Sequence, residues 1–116
     1  MKISVVVPNW NGKKFIRMCL DSLALSDFDS YEIIVVDNGS IDGSLEMIEE
    51  RYPEVRLIKN QTNMGFAIAC NQGIKAAKGE YISLLNNDIE VEPDWLTKLY
   101  EGMERHPECG MGTTKM

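Results

Sequence analysis

Three short apolar runs, each ending in a cluster of polar side chains, constrain this chain more than any other feature. Ile3-Ser4-Val5-Val6-Val7 leads into Pro8-Asn9-Trp10-Asn11-Gly12. Tyr31-Glu32-Ile33-Ile34-Val35-Val36 leads into Asp37-Asn38-Gly39-Ser40. Tyr81-Ile82-Ser83-Leu84-Leu85 leads into Asn86-Asn87-Asp88, with Ile89-Glu90-Val91 behind it. Short runs rich in β-branched residues, apolar at nearly every position, read as strands buried on both faces. Pro8 cannot donate to a ladder, so the first strand is expected to stop there.

The segments between the runs carry apolar residues at helical spacing. Phe15, Ile16, Cys19, Leu20 and Leu23 define a first helix. Ser40 is placed to cap a second, which carries Leu45, Ile48 and Tyr52 and stops at Pro53. Val55-Arg56-Leu57-Ile58 reads as a short third strand at an edge. Phe66, Ala69, Cys70, Gly73, Ile74 and Ala77 define a third helix, with enough small residues to lie close to a sheet and Gly79 as its stop signal. Pro93 opens a fourth helix with Trp95, Leu96, Leu99, Tyr100 and Met103 on its core face, and Pro107 ends it. Residues 109–116 are expected to begin a fifth strand.

Strand and helix therefore alternate. The fold class is α/β: a mostly parallel sheet of four to five strands with helices on both faces. Right-handed crossovers bring the ends of the first, second and fourth strands to one sheet edge, where open α/β sheets bind ligands. Pro8 to Asn11, Asp37 to Ser40 and Asn86 to Asp88 are expected to converge there.

The length of 116 residues predicts a single domain over 1–116. A net charge of −6 argues against nucleic acid as a partner and against an anionic membrane as the main one, while leaving room for a local basic pocket. Cys19, Cys70 and Cys109 are far apart, no CxxC occurs and His106 is the sole histidine, which argues against a zinc site. The cysteines read as free thiols of a reducing compartment. No signal peptide or membrane span is evident at the N-terminus, so a cytoplasmic location is expected, at the cytosolic face of a membrane if a longer protein is anchored there.

No G-x-G-x-x-G follows the first strand and no Walker lysine loop occurs. Asp37 can accept from a base N–H or a ribose hydroxyl, or simply organise its own turn. Asn9 and Asn11 can offer amides to a base or ribose beside the apolar wall of Trp10, or form only a turn. Asp88 is the candidate for a Mg²⁺ or Mn²⁺ ion, which takes one or two carboxylates and completes its shell with phosphate and water oxygens. Asn86 can add a neutral oxygen. Glu90 and Glu92 read as a solvated face.

Four segments, in order, resemble family 2 glycosyltransferases of the GT-A fold. They are Ser4 to Gly12, Val35 to Ser40, Asn63-Met64-Gly65-Phe66-Ala67 with Asn71 and Gly73, and Gly79 to Ile82 continuing through Asn86-Asn87-Asp88. The Leu-Asn-Asn-Asp-Ile-Glu-Val form is most similar to the rhamnosyltransferase-like branch of cell-surface polysaccharide synthesis. The resemblance implies an inverting enzyme that moves a sugar from a UDP- or dTDP-linked donor to a polysaccharide, glycolipid or glycoprotein acceptor. It implies that Pro8, Asn9, Trp10 and Asn11 border the base, that Asp37 contacts it, and that Asn63 and Gly65 lie near the nucleotide. Asp88 would be the metal-binding end of the family's Asp-x-Asp signature, with Asn86 where the first Asp often stands and Asn87 near the ribose.

The resemblance covers only the nucleotide-binding half of such enzymes. The chain is expected to lack the acceptor-binding half and its catalytic base, and to bind nucleotide without turnover. Strand four is then expected to expose an edge through which two copies pair. Two rival readings are a phospho-acceptor receiver domain, which wants an acidic pair after the first strand, and a nucleotidyltransferase, which wants a basic Gly-rich loop there.

Overall fold

The computed structural model describes residues 1–105 and 112–113. Strands β1 (Ile3–Asn9), β2 (Tyr31–Asp37), β3 (Arg56–Lys59), β4 (Tyr81–Leu84) and β5 (Gly112–Thr113) alternate with helices α1 (Lys13–Ala24), α2 (Ser44–Arg51), α3 (Phe66–Ala76) and α4 (Trp95–Arg105). The sheet runs β3-β2-β1-β4-β5, and every pairing is parallel. The chain winds outward from β1 to β3, then crosses back to β4. The order therefore reverses between β1 and β4, the position where a ligand crevice forms.

The uninterrupted apolar runs fill both faces. Ile3, Val5 and Val7 of β1 share a core with Ile33 and Val35 of β2, Ile16, Leu20 and Leu23 of α1, Ile48 of α2 and Leu96 of α4. Val6, Ile34 and Val36 point the other way, onto Ala69 of α3. Helices lie on both faces, as the sequence indicates. The small residues of α3 allow the close approach: a Cβ on Gly73 would stand 2.3 Å from Val6 Cγ1.

Several local expectations are corrected. Pro8 does not end β1, which continues to Asn9 with Pro8 opposite Val36 and Asn9 opposite Asp37. Pro8 instead ends the ladder on the other side. Leu85 N–H donates to Val6 O (2.9 Å), and the next β1 nitrogen facing β4 belongs to Pro8 and carries no hydrogen. β1 and β4 part at this point.

Ser40 does not cap α2, which starts at Ser44 behind Gly43 in a left-handed conformation. Gly79 is not a helix stop, since α3 ends at Ala76. A Cβ on Gly79 would stand 2.5 Å from Ser4 N, and its N–H donates to Ser4 Oγ (2.7 Å). Phe15 and Phe66, expected on core faces, are 50% and 61% exposed. β4 pairs with β5 at Ser83 and Leu84, so β4 is not the open edge that was expected. Cys19 and Cys70 are free and buried. Pro107 and Cys109 lie outside the described residues. No described helix is long and apolar enough to cross a membrane.

At the opposite end of the sheet Glu32 is nearly buried. It accepts from Ser4 Oγ (2.6 Å), Lys78 N (2.7 Å) and Arg56 Nη1 (2.7 Å). Burial pushes its pKa up, but these donors outweigh burial and hold it below the ordinary 4.5. Its stabilisation is thus complete above that ordinary value and is lost as pH falls through the lowered one. Urea titrations from about pH 6 down to about pH 3 should show a steeper loss of stability in the parent than in Glu32→Gln. Gly73→Ala should cost about 1–3 kcal/mol by overpacking against Val6, less the gain in helix propensity, read as a lower urea midpoint.

Candidate functional site

The polar ends of β1, β2 and β4 do converge. They border a cavity of about 310 Å³ lined by Pro8, Asn9 and Trp10 at the end of β1 and Asn86, Asn87 and Asp88 from the loop after β4. Asn38, Asn63 and Phe66 complete the lining. The cavity lies where β1 and β4 part, so Pro8 both borders the crevice and helps open it.

Asn9 holds the loops in register. Its side chain is nearly buried. Nδ2 donates to Asp37 Oδ1 (3.0 Å) and to Ser44 Oγ (3.1 Å), with Ser40 Oγ at 3.4 Å. Its Oδ1 accepts from Asn87 Nδ2 (2.9 Å). One amide thus ties β2, the start of α2 and the loop after β4. Gly12 is required beside it, because a Cβ there would stand 2.2 Å from Asn87 Nδ2 and 2.6 Å from Asn9 Oδ1.

Asp37 is brought to the same edge but does not line the cavity. It is 1% exposed, and its oxygens accept from Asn9, from Ser40 Oγ (2.7 Å) and from Ser40 N (2.9 Å). Asn11 also serves the loops. Its N–H donates to Ser40 Oγ (2.9 Å), its Oδ1 accepts from Ile41 N (2.8 Å), and its φ of 49° is the left-handed conformation that Asn tolerates. Gly65, with φ 93°, stands at the start of α3 but outside the cavity lining. Asn63 does line it, and its Oδ1 accepts from Gly65 N (2.9 Å).

Asn38 and Phe66 are lining residues to which the sequence assigned no ligand contact of their own. Asn38 fastens the Asn63–Gly65 loop: its Nδ2 donates to Gly65 O (3.3 Å) and its Oδ1 accepts from Asn60 Nδ2 (2.9 Å). Asn60 in turn exchanges amide hydrogen bonds with Gln72 (2.7 and 2.9 Å). The only signal for Asn38 was its place beside Asp37 in a polar strand end. Trp10 and Phe66, 54% and 61% exposed, supply flat apolar walls.

The electrostatics are one-sided. Among the described residues, Asp88 is the single charged residue of the lining, and no Lys or Arg belongs to it. Asn86 and Asp88 are both solvent-exposed residues. Beneath them, Cys19 Sγ lies 3.9 Å from Asn86 O. Burial pushes the Cys19 thiol up to about 12, and the charge of Asp88 adds to the rise, so Cys19 is an inert neutral filler. Among the described residues no three His, Cys, Asp or Glu side chains form a metal cage. Asp88 and Asn86 are hard oxygen donors of the kind that suit an ion sharing its shell with phosphates and water.

This sheet and crevice are those of a GT-A nucleotide-binding fold. The family model described as Glycosyl transferase family 2 matches residues 4–114, and the chain belongs to that family. The glycosyltransferase YibD of Escherichia coli (strain K12) is 39% identical over 95 residues, covering 79% of this chain and 27% of that protein. Among solved structures, S. aureus TarS 1-349 in complex with UDP-GlcNAc superposes with a TM-score of 0.84 at 30% identity, covering 92% of this chain and 32% of that one. The mannosyltransferase PcManGT of Pyrobaculum calidifontis, in complex with GDP-Man and Mn2+, gives a TM-score of 0.79 at 25% identity over 88% of this chain and 32% of its own. The chain thus spans about a third or less of these relatives. Family membership sets aside the receiver and nucleotidyltransferase readings.

Asn9→Ala should remove the shared anchor of three loops and leave Asp37 with Ser40 alone. The expected cost is roughly 2–4 kcal/mol, one charge-assisted hydrogen bond and one or two neutral ones, measured by urea denaturation.

Proposed function

We propose that this chain is the nucleotide-sugar-binding part of an inverting glycosyltransferase, with a polysaccharide, glycolipid or glycoprotein as acceptor. The observation that carries the reading is the crevice between β1 and β4, which among the described residues offers one carboxylate, a ring of amides, two aromatic walls and no cation. A nucleoside diphosphate brings negative charge that these lining side chains do not neutralise. Mn²⁺ or Mg²⁺, held by Asp88 with help from Asn86, would supply positive charge against the leaving diphosphate.

The remaining roles fall to the chain's own groups. Pro8 and Trp10 flank the base, and Asn63 and Phe66 close the side opposite them. Asn87, fixed by Asn9, directs its free carboxamide oxygen toward the ribose. Asp37 and Asn11 act by holding the base-side loops, whether or not Asp37 also meets the base. In the transfer, an acceptor hydroxyl oxygen bonds to the anomeric carbon from the side opposite the diphosphate. The carbon–oxygen bond to the diphosphate breaks, and its electron pair leaves with the nucleotide. The hydroxyl proton needs a base. Asp88, the one carboxylate among the described lining residues, would be taken up by the metal, so a different group would serve as the base.

Calorimetric titration with UDP, dTDP and GDP tests this. At least one should bind with Mn²⁺ or Mg²⁺ present and weaken at least tenfold in EDTA. Asp88→Asn should lose the metal dependence while keeping the parent's urea midpoint. Binding of none of the three, or metal-dependent binding that survives Asp88→Asn, would overturn the assignment.

A further inference from the structure

Outside the crevice, the exposed face of α1 gathers features that nucleotide binding does not use. Lys13, Lys14 and Arg17 line a second cavity of about 560 Å³ with Phe15, Asp42 and Met47. No ion pair to any of the three cations is found among the described residues. The neighbouring carboxylates are partly engaged. Asp42 accepts from Lys13 N (3.0 Å), Ser44 N (3.0 Å) and Ser44 Oγ (2.6 Å), and Asp21 accepts from Tyr52 OH. Burial pushes the Asp42 carboxyl up, but the hydrogen bonds from Ser44 and Lys13 together outweigh it and hold the group below its ordinary 3.8, so Asp42 offsets one cation.

Large apolar side chains stand beside these charges. Phe15 is 50% exposed, Met18 48% and Ile41 91%. Ile41 belongs to the same surface, because its N–H donates to Asn11 Oδ1 just before α1 begins (2.8 Å). Cations alone would suit any polyanion. Cations interleaved with unprotected Phe, Met and Ile suit a surface that is anionic outside and apolar just beneath. The chain's net charge of −6 is a sum over the whole sequence and says nothing of this local cluster of three cations.

We propose that the N-terminal half of α1 and the Ile41 loop dock on an anionic lipid bilayer, with Ile41 and Phe15 entering the interface. The patch adjoins Trp10 and Asn11, so docking brings the mouth of the nucleotide crevice close to the lipid surface. The proposal is independent of the nucleotide reading, since it needs neither metal nor donor.

Cosedimentation with vesicles of phosphatidylcholine containing about one-third phosphatidylglycerol tests it, beside vesicles of phosphatidylcholine alone. The parent chain should bind the anionic vesicles and release them as salt is raised. Each cation near such a surface is worth roughly fivefold in partitioning, so K13E/K14E/R17E should weaken binding by at least about 100-fold. Ile41→Ser, at a fully solvated position, should weaken it several-fold without affecting the fold. Lys75→Glu, an exposed cation on α3, should be near neutral. Circular dichroism of each variant verifies folding. Failure of the parent to bind anionic vesicles would overturn the proposal. So would binding unchanged in Ile41→Ser and in the triple variant, or binding to soluble polyphosphate without binding to vesicles, which would mark a polyanion site instead.

Discussion

The carboxamide of Asn9 is the contact on which the site depends. It occupies the last position of β1, opposite Asp37 in the β2 register, and reaches Asn87 across the gap left where β4 departs. An amide is suited to that place because it donates and accepts at once. A carboxylate there would repel Asp37, and an apolar side chain would leave Asp37 and Asn87 without their shared partner. Because Asn9 is buried, these bonds are costly to lose.

Around that contact the fold and the crevice have one origin. Apolar runs buried on both faces demand a parallel sheet, and the parallel sheet demands helical crossovers. The return from β3 to β4 on the far side of β1 creates the switch point. Pro8 then removes the hydrogen bond that would have kept β1 and β4 together one step longer. Amides from three loops fill the opening, and Asp88 gives it a charge. Gly12 and Gly39 are small because neighbouring loops press on them: a Cβ on Gly39 would stand 2.9 Å from Gln61 O.

The sequence disclosed the sheet, the helices on both faces and the convergence of three polar strand ends, since each rests on periodicity or on chain topology. It did not disclose which polar residues face a ligand and which face one another. Asp37 and Asn9 look alike in sequence as candidates, yet both are buried in mutual bonds, a consequence of register that no local pattern encodes. Phe66 has helical spacing with Ala69 and Gly73, but it sits on the first turn of α3, beyond the sheet edge, and so becomes a cavity wall. Ser40 has the chemistry of a helix cap but spends it on Asp37 and Asn11. The basic face of α1 was hidden because net charge is an average over the surface.

In the function proposed above, a divalent ion at Asp88 carries the charge of a nucleoside diphosphate in the crevice between β1 and β4. A crystal of the chain grown with Mn²⁺ and UDP tests it most directly, with the metal located by its anomalous signal. Manganese should be bonded to an Asp88 carboxylate oxygen and to diphosphate oxygens, with the uracil beside Trp10. Diphosphate bound in the crevice with manganese absent from Asp88, or manganese bound elsewhere on the chain, would contradict it.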